Sequence, residues 1–460
     1  MKCFLLLIIT AILLIVSSCK KEKFITDKNA FITTSDTALH FDTVFSGVGS
    51  ITKQFKIFNI NDQQLRISNL QLMGGTNSYF KMNVSGSAGT MFNDIDLATG
   101  DSLYVFVTVN APANNQHLPF LLQDSIQIAF NGNIQFIKLD AYGQNAHFLR
   151  SVSITHDTTW TNDLPYVLLD SFSIAANAKL TIEKGVHVFC HANTPFYVGG
   201  SLQINGGKDS TERVVFANDR LDAPYNDQPG TWEGLYFSPG STGNKLNYTT
   251  IKNAKQGVAA DNLSQVSLYQ CIIDNCTDAG IITDNSTFNA VNCLISNCSN
   301  NVYVLGGGNY AFVNCTIAAY STKYFYHEYP ALSISNASND GSTINPLKAA
   351  FRNCIIYGET SNLVKDEIAI EKEGSNSFEV VFENTLYNSP TENPLIKYNN
   401  CLPLNDPLFK LIDQEKNIFD FHLEATSPCI NAGVPSGINI DLDGNIRDAQ
   451  PDIGCYEAQP

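Results

Sequence analysis

A repeat of fixed length constrains this chain more than any other feature. The segments Thr249-Thr250-Ile251-Lys252-Asn253, Cys271-Ile272-Ile273-Asp274-Asn275, Cys293-Leu294-Ile295-Ser296-Asn297 and Cys315-Thr316-Ile317 follow one another at intervals of 22 residues. One such repeat cannot bury its apolar side alone, so a period in this range marks a solenoid whose core forms by stacking. The repeats read as strands: Cys293 and Ile295 point one way while their neighbours alternate or end the strand. Stacking at roughly 4.8 Å per coil then builds ladders of like side chains. Cys271, Cys293 and Cys315 form one expected ladder, and Ile251, Ile273, Ile295 and Ile317 another. Asn253, Asn275 and Asn297 recur at the strand ends, where a sharp corner needs a residue that tolerates the left-handed region.

The period breaks after Cys315. Cys354 lies 39 residues further on and Thr385 another 31, so 17 and 9 residues beyond the period must loop out of the stack. Solenoids often place such loops on a functional face.

Taken with Ala178 to Val186, Gly200 to Gly206 and Gly230 to Leu235, which look like earlier coils, this pattern resembles the right-handed parallel β-helix proteins related to pectate lyases. The likeness spans about residues 160–400 and implies an all-β chain with a right-handed, single-stranded parallel β-helix over 150–400. Residues 401–460 are expected to add final coils and a cap. The run from Ser427 through Arg447 to Glu457 resembles the closing segment of exported β-helix proteins, and a cap is needed because the last coil exposes an unpaired edge. Where that family commonly has small residues, this chain has Cys429 and Cys455, which in an exported protein are candidates for a disulfide.

Residues 1–19 read as an export signal, with Lys2 before an apolar run from Phe4 to Val16 that is short for a membrane span. Val16-Ser17-Ser18-Cys19 resembles the lipobox of bacterial lipoproteins, which implies lipidation at Cys19 and a membrane anchor; an ordinary cleaved signal is the alternative. That resemblance places the protein in the outer membrane, on the cell surface or the periplasmic face. A tether over 20–29 would lead into residues 30–148. There, short alternating runs such as Lys53 to Phe58, Leu65 to Leu72 and Ser102 to Val109 predict an antiparallel β-sandwich. Phe41 to Phe45, Ile51 to Asn59 and Asp101 to Val107 resemble the immunoglobulin-like modules that precede repeat domains in surface lipoproteins.

Charge narrows the partners. The 44 acidic residues exceed the 28 Lys and Arg, leaving a formal charge of −16, so nucleic acid is a poor partner. Polyanionic glycans would be repelled unless a divalent cation bridged them. Carbohydrate binding along the wall of a monomeric β-helix, or a structural role at the cell surface, is the expected function, with glycan cleavage or adhesion to a protein as the alternatives.

Chemistry-bearing candidates are few. The inserted loop carries Tyr320, Tyr324, Tyr326, His327, Glu328 and Tyr329, and Trp232 follows a polar loop; such aromatics either stack on sugar rings or pack down on the wall. Asp261 and Asp284 occupy matching places on neighbouring coils, as an outward carboxylate pair or as two Asp-Asn turns. With His327 and Glu328 they are the candidate catalytic residues. Asp441, Asp443 and Asp452 are candidate calcium ligands, because alternate carboxylates around the Gly444 turn can converge on a hard cation, though they equally suit a turn held by Asp side chains.

Overall fold

The computed structural model describes residues 23–459 except 116, 118 and 360–362. The proposed signal and Cys19 lie outside the described residues. The chain divides into two compact units between Asn145 and Ala146.

The first unit consists of two five-stranded sheets around one core that includes Phe55, Ile57, Ile67, Val105 and Ile128. Alternation explains the layers: Leu65, Ile67, Leu70 and Leu72 point inward while Arg66 faces solvent. Among the described residues the strands of this unit pair antiparallel except that Ala38–Phe45 runs parallel to Asn133–Gln144, and the isolated Phe24–Gln64 bridge is parallel too. Residues at the proposed tether are tied down from Phe24 onward. Phe24 bridges Gln64, and the Asn131 Nδ2 donates to the carbonyls of Ile25 and Asp27 at 2.9 Å each.

The second unit is a parallel β-helix built on one 26-stranded sheet. Its ladders fall where the repeat places them. Ile251, Ile273, Ile295 and Ile317 pair rung by rung, and the ladder continues through Ile356 to Tyr387. Cys271, Cys293, Cys315 and Cys354 are buried free thiols, and the Cys271 backbone N–H points at the Cys293 sulfur at 3.4 Å. The breaks of 39 and 31 residues leave the register intact, since Ile355 N donates to Cys315 O and Leu386 N to Cys354 O, both at 2.9 Å.

The corner asparagines have φ between 48° and 63° at Asn253, Asn275 and Asn297. Asn275 donates to Asn253 and Asn253 to Asn218, each at 2.8 Å. Asn297 leaves that ladder and donates to Asp274 at 3.3 Å.

One expectation changes. The segment after residue 424 does not close the end of the stack; it lies along its side. Asn292, Asn314, Asn353 and Asn384, on four successive coils, bond to Ile440, Ser436, Val434 and Ala432. The outward residues of that face explain why. Leu294, Ala318, Ile355 and Leu386 are apolar and buried under Phe409, Phe421, Cys429 and Ile453, so the C-terminal segment covers a face that would otherwise be exposed.

Candidate functional site

A different face of the β-helix is left open. It is made by Pro195–Val198, Trp232–Phe237, Ala254–Ala260, Ala279–Val291, Asn300–Val313 and Leu332–Ser335. Strand alternation buries Phe196, Val198, Leu235 and Phe237, which forces Tyr197 and Tyr236 outward. The outward ladder on successive rungs is Tyr197, Tyr236, Ala259, Ile282 and Tyr303.

Tyr197 is 46% exposed. Its ring lies 5.6 Å from that of Tyr236 at 40°, so the two present neighbouring apolar surfaces. The Tyr236 hydroxyl donates to the Glu233 carbonyl at 3.2 Å. Burial, with the Glu233 charge beside it, pushes that phenol up to about 12.

Beyond the tyrosines the floor drops to Ala259 and Ile282, and a groove of about 310 Å3 opens, flanked by Asp261, Asp284 and Asn339. The two aspartates occupy consecutive rungs, since Ala260 pairs with Thr283 and the Asn285 amide donates to the Asn262 side chain at 2.7 Å. Gly306 makes room for one of them: a Cβ there would lie 1.8 Å from the Asp284 carboxylate. Burial, then the charges of Asp261 and Asp340, raise the Asp284 carboxyl above its ordinary value. The structure thus joins apolar ring faces to a row of hydrogen-bonding groups along one trough. Tyr197 and Tyr236 carry a sequence signal of their own: each is an aromatic between two inward apolar residues.

Several other candidates do not line this groove. Trp232 is fully buried, with its indole N–H donating to the Lys252 carbonyl at 2.9 Å, so it is core and cannot meet a ligand. Tyr320 is also core, packed among Tyr357, Phe409, Phe419 and Phe421. Tyr324 donates to the Pro224 carbonyl at 3.2 Å. Tyr326 and Tyr329 are exposed, at 73% and 49%, as is Glu328. His327 is buried, with Nε2 lying 3.0 Å from both carboxylate oxygens of Glu367, which pins the loop instead of facing solvent.

The calcium candidates near the C-terminus are held by donors. The Asp441 carboxylate accepts from the backbone N–H groups of Asp443, Asn445 and Glu457, and that of Asp452 from Asn431 and Ala458. Asp443 pairs with His422 Nε2 at 2.8 Å. The Asp441 turn is therefore a side-chain-capped turn, and no group of three or more His, Cys, Asp or Glu side chains among the described residues is placed to hold a metal. Cys429 and Cys455 are free thiols, not a disulfide, and fill the core beneath the C-terminal segment.

A second cavity, of about 210 Å3, lies between the asparagine corner and the hairpin Phe409–Asp413 and Ile418–Leu423. In it burial, and to a lesser degree the Asp227 charge, push the Asp274 carboxyl up to about 6, against the opposing pull of Ser296, Lys252 and Asn297. Since 6 lies above the ordinary 3.8, the folded chain keeps a proton that the unfolded chain has released between those values. Stability contributed by this group falls as pH rises from about 4 to about 6 and is level above. Asp274→Asn is expected to remove that fall, so in metal-free buffer it should raise the urea midpoint more at pH 7 than at pH 4. An equal change at both pH values would contradict the assignment.

No protein-family model matches the chain, and no curated protein matches it. Solved structures give short, distant likenesses. A Porphyromonas gingivalis W83 protein of unknown function is 14% identical over 27% of this chain and 50% of that one, with a TM-score of 0.20. A family 123 glycoside hydrolase from Clostridium perfringens is 8% identical over 24% and 25%, TM-score 0.17. The VesB protease of Vibrio cholerae is 15% identical over 24% and 31%, TM-score 0.18. This chain spans half or less of each, and likenesses at such scores say nothing about its chemistry.

Proposed function

We propose that the chain is an exported, lipid-anchored protein of the outer membrane whose immunoglobulin-like first unit serves as a spacer and whose pectate-lyase-like β-helix holds a glycan in the groove beside Tyr197 and Tyr236. One observation carries this reading: the exposed Tyr197 ring, the half-buried Tyr236 ring and hydrogen-bonding side chains share one trough on an otherwise regular wall. Sugars bind through that combination, with ring faces on aromatics and hydroxyls on polar groups. The net charge of −16 and the carboxylates at the groove favour a neutral glycan over a polyanionic one.

A second reading has its own support. Asp261 and Asp284 face one groove from adjacent coils, and Asp284 is raised by burial and by its partner, as in a carboxylate pair that hydrolyses glycosides. Incubating the purified chain with a glycan panel separates the two. Retention of a neutral glycan without release of reducing ends supports binding. Release that disappears in Asp261→Asn and Asp284→Asn establishes hydrolysis, and neither retention nor release contradicts both.

A further inference from the structure

The cavity beside Asp274 gathers oxygen acceptors from three parts of the chain: Asp227 from the loop before Trp232, Asp274, Asn275, Ser296 and Asn297 from two coils, and Asn417 from the C-terminal hairpin. Its donors are already committed. The Ser296 hydroxyl donates to Asp274 Oδ1 at 2.7 Å, the Asn297 amide to the same oxygen, and the Asn417 amide to Asp227 Oδ2 at 2.8 Å. The Asn275 amide is used by Asn253 and by the Asp227 carbonyl.

What remains is an excess of acceptors. Asn275 and Asn297 are each 3% exposed, line the cavity, and have side-chain carbonyl oxygens with no hydrogen-bond partner. The cause is visible in the ladder. Asn297 turns its amide to Asp274, so Asn275 loses the donor that the next rung would have supplied. Buried carbonyls without partners are costly, and two carboxylates facing the same space add repulsion. Lys252, on the rung paired with Asp274, is a cation beside it. A cation held in the cavity would supply the positive charge that this excess of acceptors lacks.

We propose that this cavity binds calcium through Asp227, Asp274 and the side-chain oxygens of Asn275 and Asn297. Two carboxylates balance the charge of one Ca2+, and amide oxygens and water complete the six to eight oxygen ligands it takes. Magnesium demands a smaller octahedral shell and fits a set of flexible corner side chains less well. The ion fastens the loop holding Asp227 and, through Asn417, the C-terminal hairpin to the wall of the β-helix.

The test uses the full chain stripped with a chelator, titrated with CaCl2 and separately with MgCl2, and followed by thermal unfolding and calorimetry. Millimolar Ca2+ should raise the midpoint by ~2 °C or more, with one site per chain and a smaller response to Mg2+. Asp274→Asn and Asp227→Asn, with circular dichroism matching the parent, should each abolish the increment, and Asp443→Asn should keep it. No shift in the parent, an equal shift with Mg2+, or a shift that survives in both cavity variants overturns the proposal.

Discussion

Replacing Phe351 by alanine is expected to uncouple the two ends of the β-helix. Its ring is 1% exposed, lies 4.8 Å from Phe312 at 7°, and meets Phe382 edge-on at 5.1 Å. Removing a buried Phe costs about 3–5 kcal/mol, a large part of a folded chain's net stability. Coils touch only their neighbours, so the loss falls on the stack around residue 351 while earlier coils keep their own contacts. The two tryptophans, Trp160 and Trp232, sit in those earlier coils. In urea, the circular dichroism transition of Phe351→Ala should therefore precede the tryptophan fluorescence transition, whereas the parent shows the two together. Coincident transitions in the variant would mean that the solenoid transmits the damage along its whole length.

Glu367→Ala carries the second large effect. The carboxylate is 2% exposed, accepts from His327 Nε2, and takes the Ala331 backbone N–H at 3.0 Å. His327 Nδ1 has no hydrogen-bond partner, so the ring is held through Nε2 alone. Without Glu367, two buried N–H donors are stranded, each costing about 1–3 kcal/mol. The inserted loop around Tyr326 should then exchange amide hydrogens far faster than in the parent. By contrast Arg66 and Asp96 are 47% and 41% exposed, so Asp96→Ala should change stability by under ~1 kcal/mol. Comparable losses for the two variants would show that the His327–Glu367 contact is no more than a surface pair.

The β-helix was legible because its physics is periodic. A residue such as Ile295 must match Ile273 and Ile317 to share a rung, so the stack is written into the spacing, and even the two long insertions kept register. Side-chain partners far apart in sequence left no such trace. Nothing around His327 points to Glu367, 40 residues later, and nothing in Asp441 distinguishes a carboxylate capping a turn from one awaiting calcium. The groove fell between these cases. Phe196-Tyr197-Val198 and Leu235-Tyr236-Phe237 do announce outward aromatics, but the loop before Trp232 hides that they are neighbours. The aromatic-rich loop drew attention through composition, and the structure spends Tyr320 on packing. The lateral cover was hidden for a related reason: only the paired strands show that Leu294, Ile355 and Leu386 share one outward row, with Thr316 on the rung between the first two.

The most direct measurement is the affinity of the retained glycan for variants of the groove tyrosines and of the loop tyrosines. Tyr197→Ala and Tyr236→Ala should each weaken binding at least ~10-fold, equivalent to about 1.4 kcal/mol of lost contact. Tyr326→Ala and Tyr329→Ala should change it by less than ~2-fold. The reverse pattern, with the loop tyrosines decisive and the groove tyrosines silent, would contradict the assignment of the groove as the binding wall.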